Sequence, residues 1–343
     1  MLSPRRLFFF EKWYFDAQCE DGSFVFLYFA SLTLAGIRSG QFVISLVPAR
    51  GEAALRSLSF KGRRIDIASD RSAVAIPHGH VGSIPSSPGG GRGVGIAPPA
   101  VHLDAGDVSV HLAYAPTDPP WVPSDGGTLL RLGERALTWR VPIPCARVDG
   151  EVRVGPQSAR FSGFGYHDFV QTDIPPWRIP LRDLLWGRAL GEGGALIWNR
   201  PLFRLDGADL PCARGWYRIS DGPAVECDSI GFQLTALRRH DVTGEEFPDE
   251  MSFELRAAAG MESVARAQRV DLGGTRMFLG DNVADVTGFS NRAERWLYRK
   301  FTGNPVEYKL LSRVVSPGPF SGLLAAHERV LWGRGRAREP LRT

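Results

Sequence analysis

The sequence predicts an all-β protein of sandwich or barrel type, and three observations carry that expectation. Glycine and proline, at 39 and 25 of 343 residues, follow no collagen-like period, so tight turns are frequent and long helices are not expected. Short runs rich in Val, Leu, Phe and Tyr recur between turn residues, which is the pattern of strands. These runs do not alternate with helical patterns, which argues against βαβ units and a parallel sheet. At about 150 residues per domain, the length points to two domains.

Strands are expected at 24–34, 41–47, 54–60, 108–114, 128–132, 136–141 and 151–154, with Asp21-Gly22, Gly126-Gly127, Asp149-Gly150 and Pro156 as turn residues. Residues 83–99 hold most of the glycine-rich sequence, and they form either a loop flanking a pocket mouth or a plain disordered loop. A second set of strands is expected at 195–204, 215–219, 231–237, 251–256, 265–270 and 307–315. The break before it, at 205–214, contains Asp206-Gly207 and Pro211 and sets the expected domains at 1–205 and 206–343. One helix is expected at 290–301, capped by Ser290 and stopped by Gly303 and Pro305. Ala293, Trp296 and Leu297 share one of its faces, and that stripe is expected to pack against a barrel wall.

The net charge is +4, from 41 basic and 37 acidic residues spread along the chain, so no nucleic-acid groove is expected. The one local excess, Arg334, Arg336, Arg338 and Arg342, is a solvated tail or a contact to an anionic membrane surface. Cys19, Cys145, Cys212 and Cys227 lack CxxC spacing, so they are expected to be reduced and buried rather than zinc ligands. The apolar run at 7–10 is too short for a signal peptide, and the longest apolar stretch, 24–35, falls short of the roughly 20 residues that a membrane helix needs. A cytoplasmic protein follows, with peripheral membrane contact as the alternative.

Walker A, helix-opening GxGxxG, HExxH and GxSxG sequences are all absent, and the glycine-rich run at 89–95 lacks a following helix to hold a phosphate. His78 and His80 have a spacing that some metal sites use. No carboxylate or cysteine stands beside them and Pro77 and Gly79 mark a loop, so they are expected to be surface residues. No metal or cofactor is expected.

Residues 161–190 are the informative segment. If 164–170 is a strand, Phe164, Tyr166, Asp168 and Val170 share one face, while Gly165, His167 and Phe169 share the other. Asp168 then stands in an aromatic and apolar row, where burial would favour its protonated form. A free aspartic acid, with pKa about 3.9, is roughly one part in a thousand protonated at pH 7, so protonating it costs about 4 kcal/mol that burial can largely remove. The alternative is an ionised, inert Asp168 paired with an arginine or with backbone N–H groups. In the segment 11–18, Tyr14 and Asp16 share one face and Trp13 and Phe15 the other. Trp186 and Arg188 also share a face, and Arg188 suits either a substrate carboxylate or the neutralisation of Asp16 or Asp168.

The stretches EKWYFDA (11–17), WRVPIPCARVDGEV (139–152), GYHD (165–168), LWGRA (185–189) and FTGNPVEYKLLSRV (301–314) occur in that order. Together they resemble the two-domain lipocalin-like family of carotenoid 1,2-hydratases (hydroxyneurosporene synthases) and related hydratases and cyclases, over most of the chain. The resemblance implies two consecutive calycin-type antiparallel β-barrels with a ligand cavity. It also implies acid-assisted chemistry on an isolated C=C, in which proton addition is followed by capture of the carbocation by water or an internal nucleophile. Asp168 matches the expected acid, with Tyr166 and His167 as its motif neighbours. Trp13, Tyr14 and Asp16 match the N-terminal motif and, with Trp186 and Arg188, are the expected substrate-binding residues. The implied partner is an apolar polyene or prenoid, and no cofactor is implied.

One departure stands out. Family members commonly continue past GYHD with His or Ser, then Asn and a nearby Gly, whereas this chain continues Phe169-Val170-Gln171-Thr172. Polar groups that would position water are missing or displaced, which weakens the hydratase reading and favours either a cyclase, pericyclic closure included, or another substrate. A non-catalytic carrier of an apolar ligand is the remaining alternative, because the 9 Trp and 20 Phe serve equally as cavity lining or as ordinary core.

Overall fold

The computed structural model describes residues 8–61, 64–82, 99–258, 267–283, 296, 299–300, 302 and 305–332. The fold is all-β, of two lipocalin-like units, Met1–Ile174 and Pro175–Thr343.

In the first unit, β1 (Phe8–Cys19), β2 (Phe24–Leu34), β3 (Ile37–Val47) and β4 (Ala54–Lys61) form one meander. A second runs through β5 (Asp66–Ile67), β6 (Ala73–Ile76), β7 (Gly79–Gly82), β8 (Ala100–Ala105) and β9 (Val108–Pro116). After the short β10 (Thr128–Leu132), the long hairpin of β11 (Arg135–Val154) and β12 (Gln157–Thr172) joins the meanders into one antiparallel sheet, ordered β4-β3-β2-β1-β12-β11-β9-β8-β7-β6-β5. The sheet curls around a core that includes Trp13, Phe15, Phe29, Phe42, Val110, Tyr114 and Phe161.

The second unit comprises β13 (Leu181–Gly191), β14 (Gly194–Leu205), β15 (Ala208–Pro211), β16 (Arg214–Ile219), β17 (Val225–Arg239), β18 (Glu246–Ala257), β19 (Gln268–Asn282), β20 (Val306–Val314) and β21 (Leu324–Leu331). Because β13 pairs with both β14 and β21, eight of these strands close into a barrel, with β15 appended to β14. Full closure removes the exposed edges that an open sheet must protect. Leu196, Trp198, Phe253, Leu255, Val270 and Leu272 fill the interior.

Several expectations change in detail. The turn Asp206-Gly207 joins β14 to β15 inside the second unit, so the break expected near 205 is a hairpin there, and the units divide after Ile174. The runs at 136–141 and 151–154 belong to one 20-residue strand, β11. Gly150 is not a turn residue: at φ +152° it allows close approach, since a Cβ there would lie 1.9 Å from the His111 carbonyl oxygen. His78 sits in the β6–β7 turn at φ +74°, off the strand that carries His80.

Most of the helix expected at 290–301 lies outside the described residues, including Ser290, Ala293 and Leu297. Trp296 is helical but exposed, with the Lys300 ammonium 4.9 Å above its ring, so this part of the expected packing stripe faces solvent. The segment 83–98 and the arginine-rich tail also lie outside the described residues. No disulfide joins the four cysteines. Among the described residues, no helix is long and apolar enough to cross a membrane.

Candidate active site

The pairing of β1 with β12 places Tyr14 opposite Asp168, Phe15 opposite His167 and Asp16 opposite Tyr166. Opposed residues of antiparallel strands share a face. Tyr14, Asp16, Tyr166 and Asp168 therefore stand together on one face, with Phe26 and Tyr28 of β2 beside them. The other face turns Trp13, Phe15 and Phe169 into the core. This is the alternation that the sequence predicts. The polar four are buried, with Asp16 and Tyr166 at 0% exposure and Tyr14 and Asp168 at 4%.

Asp168 Oδ2 accepts two hydrogen bonds, from the Tyr166 hydroxyl at 3.1 Å and from the Trp139 indole N–H at 3.0 Å. Trp139 reaches Asp168 because β11 slips against β12 at two irregularities, between Arg140 and Ile143 and between Ile143 and Ala146, where Pro142 and Pro144 lie. The two slips move Trp139 from opposite Thr172, where the hairpin register would put it, to opposite Val170. That shift is two residues, about 6.6 Å along the strand. Aromatic groups surround the cluster. Tyr14 packs edge-on to Tyr166 at 6.2 Å and stacks on Phe26 at 6.3 Å, while Trp121 meets Trp139 at 5.2 Å. The Lys12 ammonium lies 5.7 Å and 5.2 Å from the Tyr14 and Tyr28 ring centroids.

Two expected site residues lie elsewhere in the first unit. His167 points into the core, stacks on Phe15 with centroids 3.9 Å apart, and donates from Nδ1 to the Tyr14 carbonyl at 2.8 Å. Burial pushes its pKa down to about 4, so the ring is neutral, and it positions β1 against β12 on the side away from Asp168. Trp13 also faces the core, packed on Phe29 and Phe169, with its N–H donating to the Arg71 carbonyl. The period of two separates both residues from Asp168.

Trp186 and Arg188 belong to β13 of the second unit and share a face, as expected. That face is opposite the barrel interior, which receives Ala189, Trp198 and His327. Trp186 and Arg188 are 6% and 0% exposed, and Arg188 donates to the Leu324 carbonyl. On the same face Lys309 is buried between Glu307, at 2.6 Å, and Glu328. Burial works to discharge its amine, but the two carboxylates outweigh burial and hold the pKa above its ordinary value.

Sequence reasoning singled out neither Trp139 nor Lys12, Phe26 and Tyr28 as neighbours of Asp168. The alternation of 24–34 carries a signal for the β2 pair. None exists for Trp139, whose place depends on the strand slips. A surface depression of about 350 Å³, lined by Glu20, Ala113, Arg147, Asp149, Ser162 and Gly163 among others, contains none of the expected site residues.

Fold and site together define a two-unit lipocalin-like protein with a buried aspartate held by tyrosine and tryptophan on the first unit. No protein-family model matches the chain, and no curated protein matches it in sequence. Solved structures share its fold. CghA in complex with Sch210972 has a TM-score of 0.64 at 12% identity, over 96% of this chain and 89% of that one. The protein assigned as AttH in Nitrosomonas europaea gives 0.62 at 12% identity, over 94% and 92%. Kievitone hydratase of Nectria haematococca gives 0.54 at 9% identity, over 94% and 88%. At these identities the likeness is one of fold.

Proposed function

We propose that this chain is a hydro-lyase or cyclase that protonates an isolated C=C of an apolar polyene or prenoid, carotenoid 1,2-hydratase-like in its chemistry, with Asp168 as general acid. One observation carries the reading: a buried carboxyl group, among aromatic rings, receives two neutral donors on a single oxygen. A carboxyl group in such apolar and aromatic surroundings is costly as an anion, which favours the neutral acid. Proton addition needs such a neutral acid, a site that excludes water, and aromatic faces to stabilise the cation.

In the proposed reaction the Asp168 carboxyl proton forms a C–H bond using the alkene's π pair, and the positive charge develops on the more substituted carbon. The faces of Tyr14, Phe26 and Tyr28 stabilise it. In hydration, water bonds to that carbon and its surplus proton returns to the Asp168 carboxylate. In cyclisation, a second C=C supplies the electron pair, and a neighbouring C–H proton returns instead. The fold shared with kievitone hydratase and CghA fits this range of chemistry. Val170 favours the cyclising form, since the residue that follows Asp168 on the same face is apolar and cannot hold a water.

The test is incubation with acyclic carotenoids and mass spectrometry of the product. Hydration adds the mass of one water, cyclisation leaves the mass unchanged, and stoichiometric return of unaltered ligand identifies a carrier. Asp168→Asn is expected to lower turnover by at least about a hundredfold. Undiminished turnover in that variant overturns the assignment of the acid.

A further inference from the structure

We propose that the outward face of β7, β8 and β9 carries a divalent transition-metal site, with His102, Asp104 and His111 as ligands and His80 as the adjoining fourth donor. Strand register builds the cluster. His102 stands opposite His111 on β9 and opposite His80 on β7, and Asp104 lies two residues along β8 on the same face. The alternate residues Val101, Leu103, Val110 and Leu112 are anchored in the core, so the four donors project from a rigid platform.

The distances suit a metal. Asp104 Oδ1 is 3.1 Å from His111 Nε2, and Asp104 Oδ2 is 3.4 Å from His102 Nε2. One ligand atom from each of the three residues lies within 4.8 Å of the others. In a tetrahedral site with bonds of about 2.0–2.1 Å, neighbouring donors are about 3.3–3.4 Å apart, so the three donors have little more than about 1 Å to close. The His102 and His111 rings are already 4.2 Å apart, and His80 stacks parallel to His102 with centroids 5.5 Å apart. Ser109 Oγ donates to Asp104 Oδ1 at 2.7 Å, which orients the carboxylate as outer-shell partners do in metal sites.

Two or three imidazoles with one carboxylate suit Zn(II), Ni(II) or Cu(II) and not the all-oxygen preference of Ca(II) or Mg(II). The side chains of His102, His111 and Asp104 are 44%, 36% and 54% exposed, so an ion enters without opening the fold. A bound ion would tie β7 to the β8–β9 hairpin. Residues 83–99 separate β7 from β8 in sequence, so a cross-link between His80 and His102 joins positions far apart along the chain.

The experiment uses the full-length chain treated with EDTA and exchanged into chelator-free buffer. Zn(II) is titrated calorimetrically, and Co(II) is followed by its visible absorption. One equivalent is expected to bind with Kd of about 10 μM or tighter. Co(II) should show the intense bands of a four-coordinate site, and the melting temperature should rise with added metal. His102→Ala and His111→Ala should each weaken binding at least tenfold, and His80→Ala should remove the four-coordinate Co(II) bands. All three should leave the metal-free melting temperature unchanged, because these side chains stand outside the core. Zn(II) affinity weaker than about 1 mM overturns the proposal. So does stoichiometric binding that survives in the His102→Ala, His111→Ala double variant, which would place the ion elsewhere, for example on the cysteines.

Discussion

Tyr166 and Trp139 act on Asp168 through hydrogen bonds that favour the carboxylate over the acid. Removing the tyrosine hydroxyl with Tyr166→Phe should therefore move the alkaline limb of the pH–rate profile, where a general acid loses its proton, to higher pH. It should also lower turnover by about fivefold, the scale of one hydrogen bond worth about 1 kcal/mol. A profile that superimposes on the parent's would separate Tyr166 from the acid. His167 answers to a different measurement. Its folded-state pKa of about 4 lies below the ordinary 6.5, so above pH 6.5 the ring is neutral whether the chain is folded or not. As pH falls below 6.5, the unfolded chain takes up a proton that the folded chain refuses. Stability is then lost until about pH 4, by about 3 kcal/mol in total. His167→Gln should remove that part of the acid slope in urea unfolding midpoints between pH 7 and 4, whereas parallel curves would contradict the burial of a neutral ring. His327, pushed down to about 3 by burial in the second barrel, keeps its own contribution in the variant.

Among the elements, the β11–β12 hairpin decides most. Its length joins the two meanders, and its slips at Pro142 and Pro144 bring Trp139 to Asp168. Gly150 lets β11 pass close to β9, and the obstacle there is the backbone carbonyl of His111, which cannot move without breaking the ladder. Gly150→Ala should destabilise the protein by about 1–3 kcal/mol or more, read from the denaturation midpoint. Gly231 of β17 is the control, since a Cβ there meets nothing within 4 Å, and Gly231→Ala should leave the midpoint in place. Equal effects of the two would show that close approach is not what Gly150 serves.

At the scale of the whole molecule, each unit has its own core, and the second unit buries an ion pair between Asp183 and Arg329. Arg329 grips Asp183 with Nη2–Oδ2 at 3.0 Å and Nε–Oδ1 at 3.3 Å, and both side chains are about nine-tenths buried. Asp183→Ala should cost about 3–5 kcal/mol by stranding the guanidinium. Arg256→Ala, which breaks an exposed pair with Glu254, should leave the urea midpoint unmoved.

What the sequence by itself determined is local. A period of two was enough to set Tyr14, Asp16, Tyr166 and Asp168 on one side of their strands, and turn residues with short apolar runs were enough for an all-β fold. The period of two also separates His167 from Asp168, although motif matching groups them. Tertiary structure alone decided the strand slips that deliver Trp139, the double pairing of β13 that closes the second barrel, and the alignment of His80, His102 and His111. Each depends on register between paired strands. Register is set by which faces bury together across a whole sheet, and a shift of one residue, invisible in any short window, turns every side chain to the opposite face.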